Sequence, residues 1–210
     1  MLLLTILLAA VLAAAIIPVL RRIVAGDVRT PVWSVVPVAV VFAAVLEWAV
    51  SRVVDPTVVA IVGFTVVAVV LAMQSVIDLA THRLPRELSY AGLPVLAVAM
   101  VFSGGEQGRI IGSVLGALAM TAITIGLVAL TRGSLGMGDV HLSPLLGALA
   151  GWFGFLVAIA IAWVVTAIAG GIVVALGLAL RRLDRSDHVP YGPFLVFGTL
   201  ASCVLSAIVR

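Results

Sequence analysis

The sequence predicts an all-α fold, a polytopic membrane helix bundle, and three observations carry that prediction. Of its 210 residues 64% are hydrophobic and 10% charged, against about a quarter charged in an ordinary soluble domain, so a single soluble core could not hide the apolar surface. The apolar residues fall into runs near the length of roughly 20 residues that a helix needs to cross the hydrocarbon of a bilayer. The arginines gather in alternate loops between those runs.

Cut by that ruler, the chain gives about eight segments: Leu2 to Leu20, Pro31 to Val50, Val58 to Leu79, Ser89 to Phe102, Ile110 to Leu130, Val140 to Trp152, Phe155 to Leu180 and Pro193 to Val209. The first has no basic residue before it and Arg21-Arg22 after it, the reverse of a secretory signal, and is expected to stay as a retained helix. The sixth is short for a crossing, so it is expected to tilt, to re-enter, or to begin earlier than drawn. Small residues at Gly112 and Gly116, at Gly147 and Gly151, and at Gly170-Gly171 suit close helix contacts.

One set of loops holds Arg21, Arg22, Arg29, Arg83, Arg86, Arg132, Arg181, Arg182 and Arg185; the other holds Arg52, Arg109 and Arg210. Positive charge is retained on the cytoplasmic side, so both termini are expected outside and the loops after the third, fifth and seventh segments in the cytoplasm. An even number of spans agrees with that placement. No linker, low-complexity tract or soluble insertion divides the chain, which reads as one transmembrane domain over residues 1–210.

Composition also excludes functions. All twelve basic residues are arginine, and the net charge of +3 is diffuse, which gives no surface for nucleic acid. Cys203 has no partner for a disulfide, and His82, His141 and His188 lack metal-ligand spacing, so no metal and no cofactor is expected.

The acidic residues are the informative ones. Asp27, Asp55, Glu87, Glu106, Asp184 and Asp187 sit in or beside loops and read as solvated or surface-paired charge. Glu47, near the outer end of the second segment, reads as a snorkelling or interhelical polar contact. Asp78 closes the third segment and Asp139 opens the sixth, at the same membrane face. Each alone has a structural explanation, Asp139 as a helix cap and Asp78 as a partner of Arg83 or Arg86. Together they matter more, because carboxylates near hydrocarbon are costly and two at one depth on different helices can converge. Convergent carboxylates cannot both ionise easily, so one keeps a proton while the other draws a proton from a water between them. In that arrangement the water attacks a peptide carbonyl and no acyl-enzyme forms. Gly136 and Gly138, flanking Met137 just before Asp139, would let an extended substrate or a partner helix approach closely.

These residues resemble the type IV prepilin leader peptidases, aspartic peptidases of the GxGD class. Gly136-Met137-Gly138-Asp139 is similar to the family's G-x-G-D motif. Asp78 followed by Leu84-Pro85 is similar to its first aspartate element, and Val189-Pro190-Tyr191-Gly192-Pro193-Phe194 resembles its late P-F-G-P-F stretch with Tyr191 in place of Phe. Three elements in order are far more specific than one four-residue motif. The resemblance implies Asp78 and Asp139 as catalytic residues. It implies Gly136, Gly138, Leu84, Pro85, Pro190, Gly192 and Pro193 as motif positions around the substrate's approach.

There are departures. Longer relatives carry paired C-x-x-C motifs for zinc in an insertion after the first helix, with a second, N-methyltransferase activity. Here the loop is Arg21 to Thr30 and holds no cysteine; that excludes the zinc by residue type and weighs against the methyltransferase. His141 stands where many relatives have Lys, and Arg86 where Asn or Asp is common. The resemblance implies a prepilin or pseudopilin precursor as partner, with a short basic leader and a hydrophobic helix, cut at the cytoplasmic face of the cell membrane among membrane lipid. The competing class is a transporter or proton-coupled permease, for which intramembrane acids and a broken helix are also expected.

Overall fold

The computed structural model describes residues 2–23, 32–104, 106–131, 136–180 and 189–209. The expectations for Asp27, Asp184, Asp187 and His188, and for Arg29, Arg132, Arg181, Arg182, Arg185 and Arg210, lie outside the described residues.

All regular structure among them is helical: α1 (Leu2–Ile23), α2 (Val35–Ser51, entered through a 3-10 turn, Val32–Ser34), α3 (Val58–Thr81), α4 (Arg86–Phe102), α5 (Gln107–Leu130), α6 (Met137–Ala179) and α7 (Gly192–Val209). Four of these, α3, α5, α6 and α7, are long and apolar enough to cross a membrane, whereas the apolar stretches of α1 and α2 are shorter. Leu118, Ile125, Val164 and Ile172 are among many exposed aliphatic side chains on the outside of the bundle, a surface that suits hydrocarbon and not water.

α3 is the central helix, most of its residues buried by α1, α2, α4 and α7. Thr57 fixes its start: the hydroxyl oxygen accepts the N–H of Ala60 at 3.3 Å, while the O–H donates to the carbonyl of Phe102 at 2.7 Å, tying α3 to the end of α4. Glu47 is buried between α2 and α3 beside Phe64 and Thr65, its Oε2 without a hydrogen-bond partner among the described residues. Its burial, with Val50, Pro56 and Ile61 lining the same small cavity, fits the interhelical expectation and not the snorkelling one.

α5 and α6 pack backbone to backbone through the glycines the sequence singles out. A Cβ on Gly112 would lie 2.7 Å from the carbonyl oxygen of Gly151, and one on Gly116 or Gly147 would overlap the other's carbonyl. With dispersion as the main attraction between helices in lipid, this close approach holds the pair.

The expected sixth and seventh segments are one element with a break. Gly154 and Phe155 leave helical geometry inside α6. Gly151, before the break, packs against Gly112 at the start of α5, whereas Gly170, after it, meets Tyr191 and Phe194 at the start of α7. The chain therefore reverses at Gly154-Phe155, making α6 a hairpin of two helical arms. The first arm starts at Met137, earlier than the expected Val140, which relieves its shortness.

Gly147→Val should lower the thermal midpoint of the protein in detergent by an amount equivalent to about 1–3 kcal/mol, the usual range for overpacking. Gly126→Ala, where a Cβ meets nothing within 4 Å, should leave the midpoint unchanged or raise it. Equal midpoints for the two variants would remove the glycine contact as the basis of the α5–α6 pair.

Candidate active site

Asp78 lies in the last turn of α3, where its backbone carbonyl accepts the N–H of His82 at 2.8 Å. His82 caps the helix in the left-handed region at φ 52°, a conformation that costs a non-glycine residue about 1–2 kcal/mol. It turns the chain sharply into Arg83-Leu84-Pro85. Pro85, at φ −66° and ψ 114°, then starts α4; its ring fixes φ and its missing N–H would have had no helical partner there.

Asp139 is the third residue of α6. Gly136 is the N-cap, and its carbonyl accepts the Asp139 N–H at 3.1 Å. Asp139 is therefore not the cap itself, and its side chain is free to point inward. Both aspartates are buried, at 5% and 4% exposure, and both line one cavity of about 360 Å³ together with His82, Arg83, Leu84, Gly136, Met137 and Gly138. Arginine does not neutralise Asp78: among the described residues Arg86 pairs with Glu87 at 3.3 Å, out in solvent.

The partner of Asp78 is backbone. The N–H of Gly192, first residue of α7, donates to its Oδ2 at 3.1 Å. A Cβ on Gly192 would lie 2.8 Å from that oxygen and 3.0 Å from Leu84 Cδ1, and one on Gly138 would lie 2.7 Å from Leu84 Cβ. Leu84 is thus wedged between two glycines, one from each side of the site. Gly136 is less constrained, with 3.6 Å from its Cβ position to Asp139 Oδ2. The expected close approach at Gly138 therefore involves the chain's own Leu84.

Pro193 lies in the first turn of α7, where a proline costs no helical hydrogen bond. Pro190 precedes α7 and is partly buried. Tyr191, half-buried beside them, has its phenol pushed above its ordinary value first by burial and then by the charge of Asp139, so it stays neutral. Asp139, which lines the cavity, has its Oδ1 buried with no hydrogen-bond partner among the described residues, an acceptor left unsatisfied by the protein.

Sequence reasoning missed the polar pairs beneath the aspartates. Gln74 and Ser89, both buried, join α3 to α4 at 3.0 Å, and Ser143 and Thr124 join α6 to α5 at 2.7 Å. The helical spacing of Gln74 from Asp78 and of Ser143 from Asp139 was the available signal.

A model of the type IV leader peptidase family matches residues 65–171, from within α3 into the second arm of α6, and so spans both aspartates. The chain belongs to the type IV leader peptidase family. Its similarity extends to curated proteins named prepilin leader peptidase/N-methyltransferase from Burkholderia pseudomallei strains 1026b and K96243. Each is 30% identical over 181 residues, which is 83% of this chain and 56% of the relative. The chain thus spans just over half the length of these relatives. No solved structure matches it significantly.

Gly138→Ala and Gly192→Ala should each lower the thermal midpoint of the protein in detergent by an amount equivalent to about 1–3 kcal/mol, the usual range for overpacking. Gly136→Ala, whose Cβ position is 3.6 Å from its nearest neighbour, should cost less. Equal midpoints for all three would contradict the wedge at Leu84.

Proposed function

We propose that the protein is a membrane-embedded aspartic endopeptidase that removes the short basic leader of a type IV pilin-like precursor at the cytoplasmic face of the cell membrane, with residues 1–210 acting as one peptidase unit. The observation that carries this reading is the convergence of Asp78 and Asp139, from two different helices, on one cavity. The family membership and the names of the relatives support the substrate class.

In the proposed reaction a water sits between the carboxyl groups, one ionised and one protonated, since two adjacent carboxylates share a proton at lower cost than they carry two charges. The ionised group takes a proton from the water as its oxygen bonds to the peptide carbon. The protonated group donates to the carbonyl oxygen. The tetrahedral intermediate then collapses, a proton passes to the leaving amine, and the C–N bond breaks. The Gly192 N–H holds Asp78 in a fixed orientation for these transfers.

A precursor whose hydrophobic helix lies in the bilayer and whose leader stays in the cytoplasm would present its scissile bond at the edge of the hydrocarbon, where a helix end puts each aspartate. Arg83 at the cavity supports this placement by the positive-inside argument. The loop from Arg21 to Thr30 holds no cysteine for a C-x-x-C zinc motif, which weighs against an N-methyltransferase activity in this chain.

Asp78→Asn and Asp139→Asn should each abolish leader removal from a co-expressed tagged precursor while leaving the protein in the membrane. The double variant should add little, as expected of groups that act as a unit. EDTA should leave cleavage intact. Processing by either single variant would take that aspartate out of the mechanism, and loss of activity restored by a divalent ion would replace it with a metal.

A further inference from the structure

The two aspartate-bearing helices do not pack broadly on each other. α3 is surrounded by α1, α2, α4 and α7, and α6 by α4, α5 and α7. The spacing of the carboxylates is therefore set by what bridges α3 and α6, and α4 does so with two consecutive residues.

Ser89 is fully buried and faces α3. Gln74 Nε2 donates to its Oγ at 3.0 Å, and that Oγ lies 3.4 Å from Gln74 Oε1, so the pair closes on itself. Gln74 is one turn before Asp78, on the same face of α3. Tyr90, rotated about 100° from Ser89 around the helix, faces α6 instead. Its hydroxyl is 2.7 Å from His141 Nδ1, with the rings edge to face at 5.6 Å between centroids. His141 is two residues past Asp139.

One turn further along, Gly92 lets α4 settle between the two helices: a Cβ there would lie 2.9 Å from Leu145 Cδ2 of α6 and 3.5 Å from Val70 Cγ1 of α3. Buried amide and hydroxyl groups in an apolar surround have no water to fall back on, so the Gln74–Ser89 pair is satisfied in this register of α4 and lost in one slipped from it.

We propose that Ser89 and Tyr90 are positioning residues: through Gln74 and His141 they hold the last turn of α3 and the first turn of α6 at the spacing that lets one water touch both carboxylates. Neither residue is assigned contact with substrate. The catalytic part of this inference rests on the peptidase reading above, while the spacing part stands on geometry alone.

The test uses the full chain in lipid vesicles, with spin labels on cysteines replacing Leu79 and Met137, both exposed, in a Cys203→Ser background. Electron–electron double resonance then reads the α3–α6 distance, and unlabelled protein without the label cysteines is assayed on a pilin-like precursor. A narrow distance distribution is expected for the otherwise unaltered protein. Tyr90→Phe, which keeps a half-exposed ring and removes one hydroxyl, should broaden it, and Ser89→Ala with Tyr90→Phe should broaden it further. In step, kcat should fall by about tenfold with KM unchanged, the signature of misaligned reacting groups. His141→Gln, which can still hydrogen-bond the tyrosine hydroxyl in either direction, should retain both the narrow distribution and the rate. An unchanged distribution in the double variant overturns the proposal whatever the rate does, and so does a broadened one with unchanged kcat. If the parent protein cleaves no precursor, the peptidase reading falls while the distance measurement still decides the spacing.

Discussion

The interaction on which the site depends is the bond from the Gly192 N–H to the carboxylate of Asp78. A carboxylate at the edge of hydrocarbon needs a donor, and a long cationic side chain as donor would fill the cavity it faces. Backbone is the compact alternative. It reaches only where no Cβ intervenes, so the start of α7 must be glycine and must lie against the end of α3. Leu84 then packs into the space between Gly192 and Gly138, bringing the start of α6, with Asp139, to the same place.

The rest of the bundle serves that convergence by keeping its polar groups quiet. Thr65, Ser75, Thr121 and Thr199 each donate to the carbonyl four residues earlier in their own helix, which satisfies a hydroxyl without demanding anything of a neighbour. Polar contacts between helices are fewer. Gln74 with Ser89, Ser143 with Thr124 and Tyr90 with His141 involve turns next to the aspartates, while Thr57 with Phe102, Ser113 with Met100 and Thr166 with Phe194 join helices elsewhere. Small residues make further contacts, as where α7 brings Gly198 against Thr166 and Ala162 of α6. Packing fixes the shape there, and hydrogen bonds fix the register where chemistry needs it.

Much of this was legible in the sequence because the bilayer imposes length on apolar runs. The eight segments each correspond to a helix or helical arm, and the glycine pairs of α5 and α6 meet as their spacing suggested. The aspartates were legible because a charge at a helix end beside hydrocarbon is expensive and calls for a reason. What could not be read was which neighbour each side chain faces. Nothing in the residue types said that Asp78 would turn to Gly192 and not to Arg83 or Arg86, since that depends on α7 arriving from more than a hundred positions along the chain. Glu47 carried two readings for a similar reason, snorkelling or an interhelical contact, and its burial between α2 and α3 fits the second.

The central claim is that Asp78 and Asp139 act on one tetrahedral centre. A non-hydrolysable pilin-like peptide with a secondary hydroxyl in place of the scissile carbonyl mimics that centre, and its hydroxyl would sit between both carboxyl groups. Transition-state mimics gain at least about a hundredfold over substrate from such contacts. Calorimetric titration in lipid nanodiscs should give tight binding to the unaltered protein and a loss of about that size in Asp78→Asn and in Asp139→Asn alike. Undiminished binding in either variant would show that only one of the two carboxylates meets the reacting carbon, and would contradict the account.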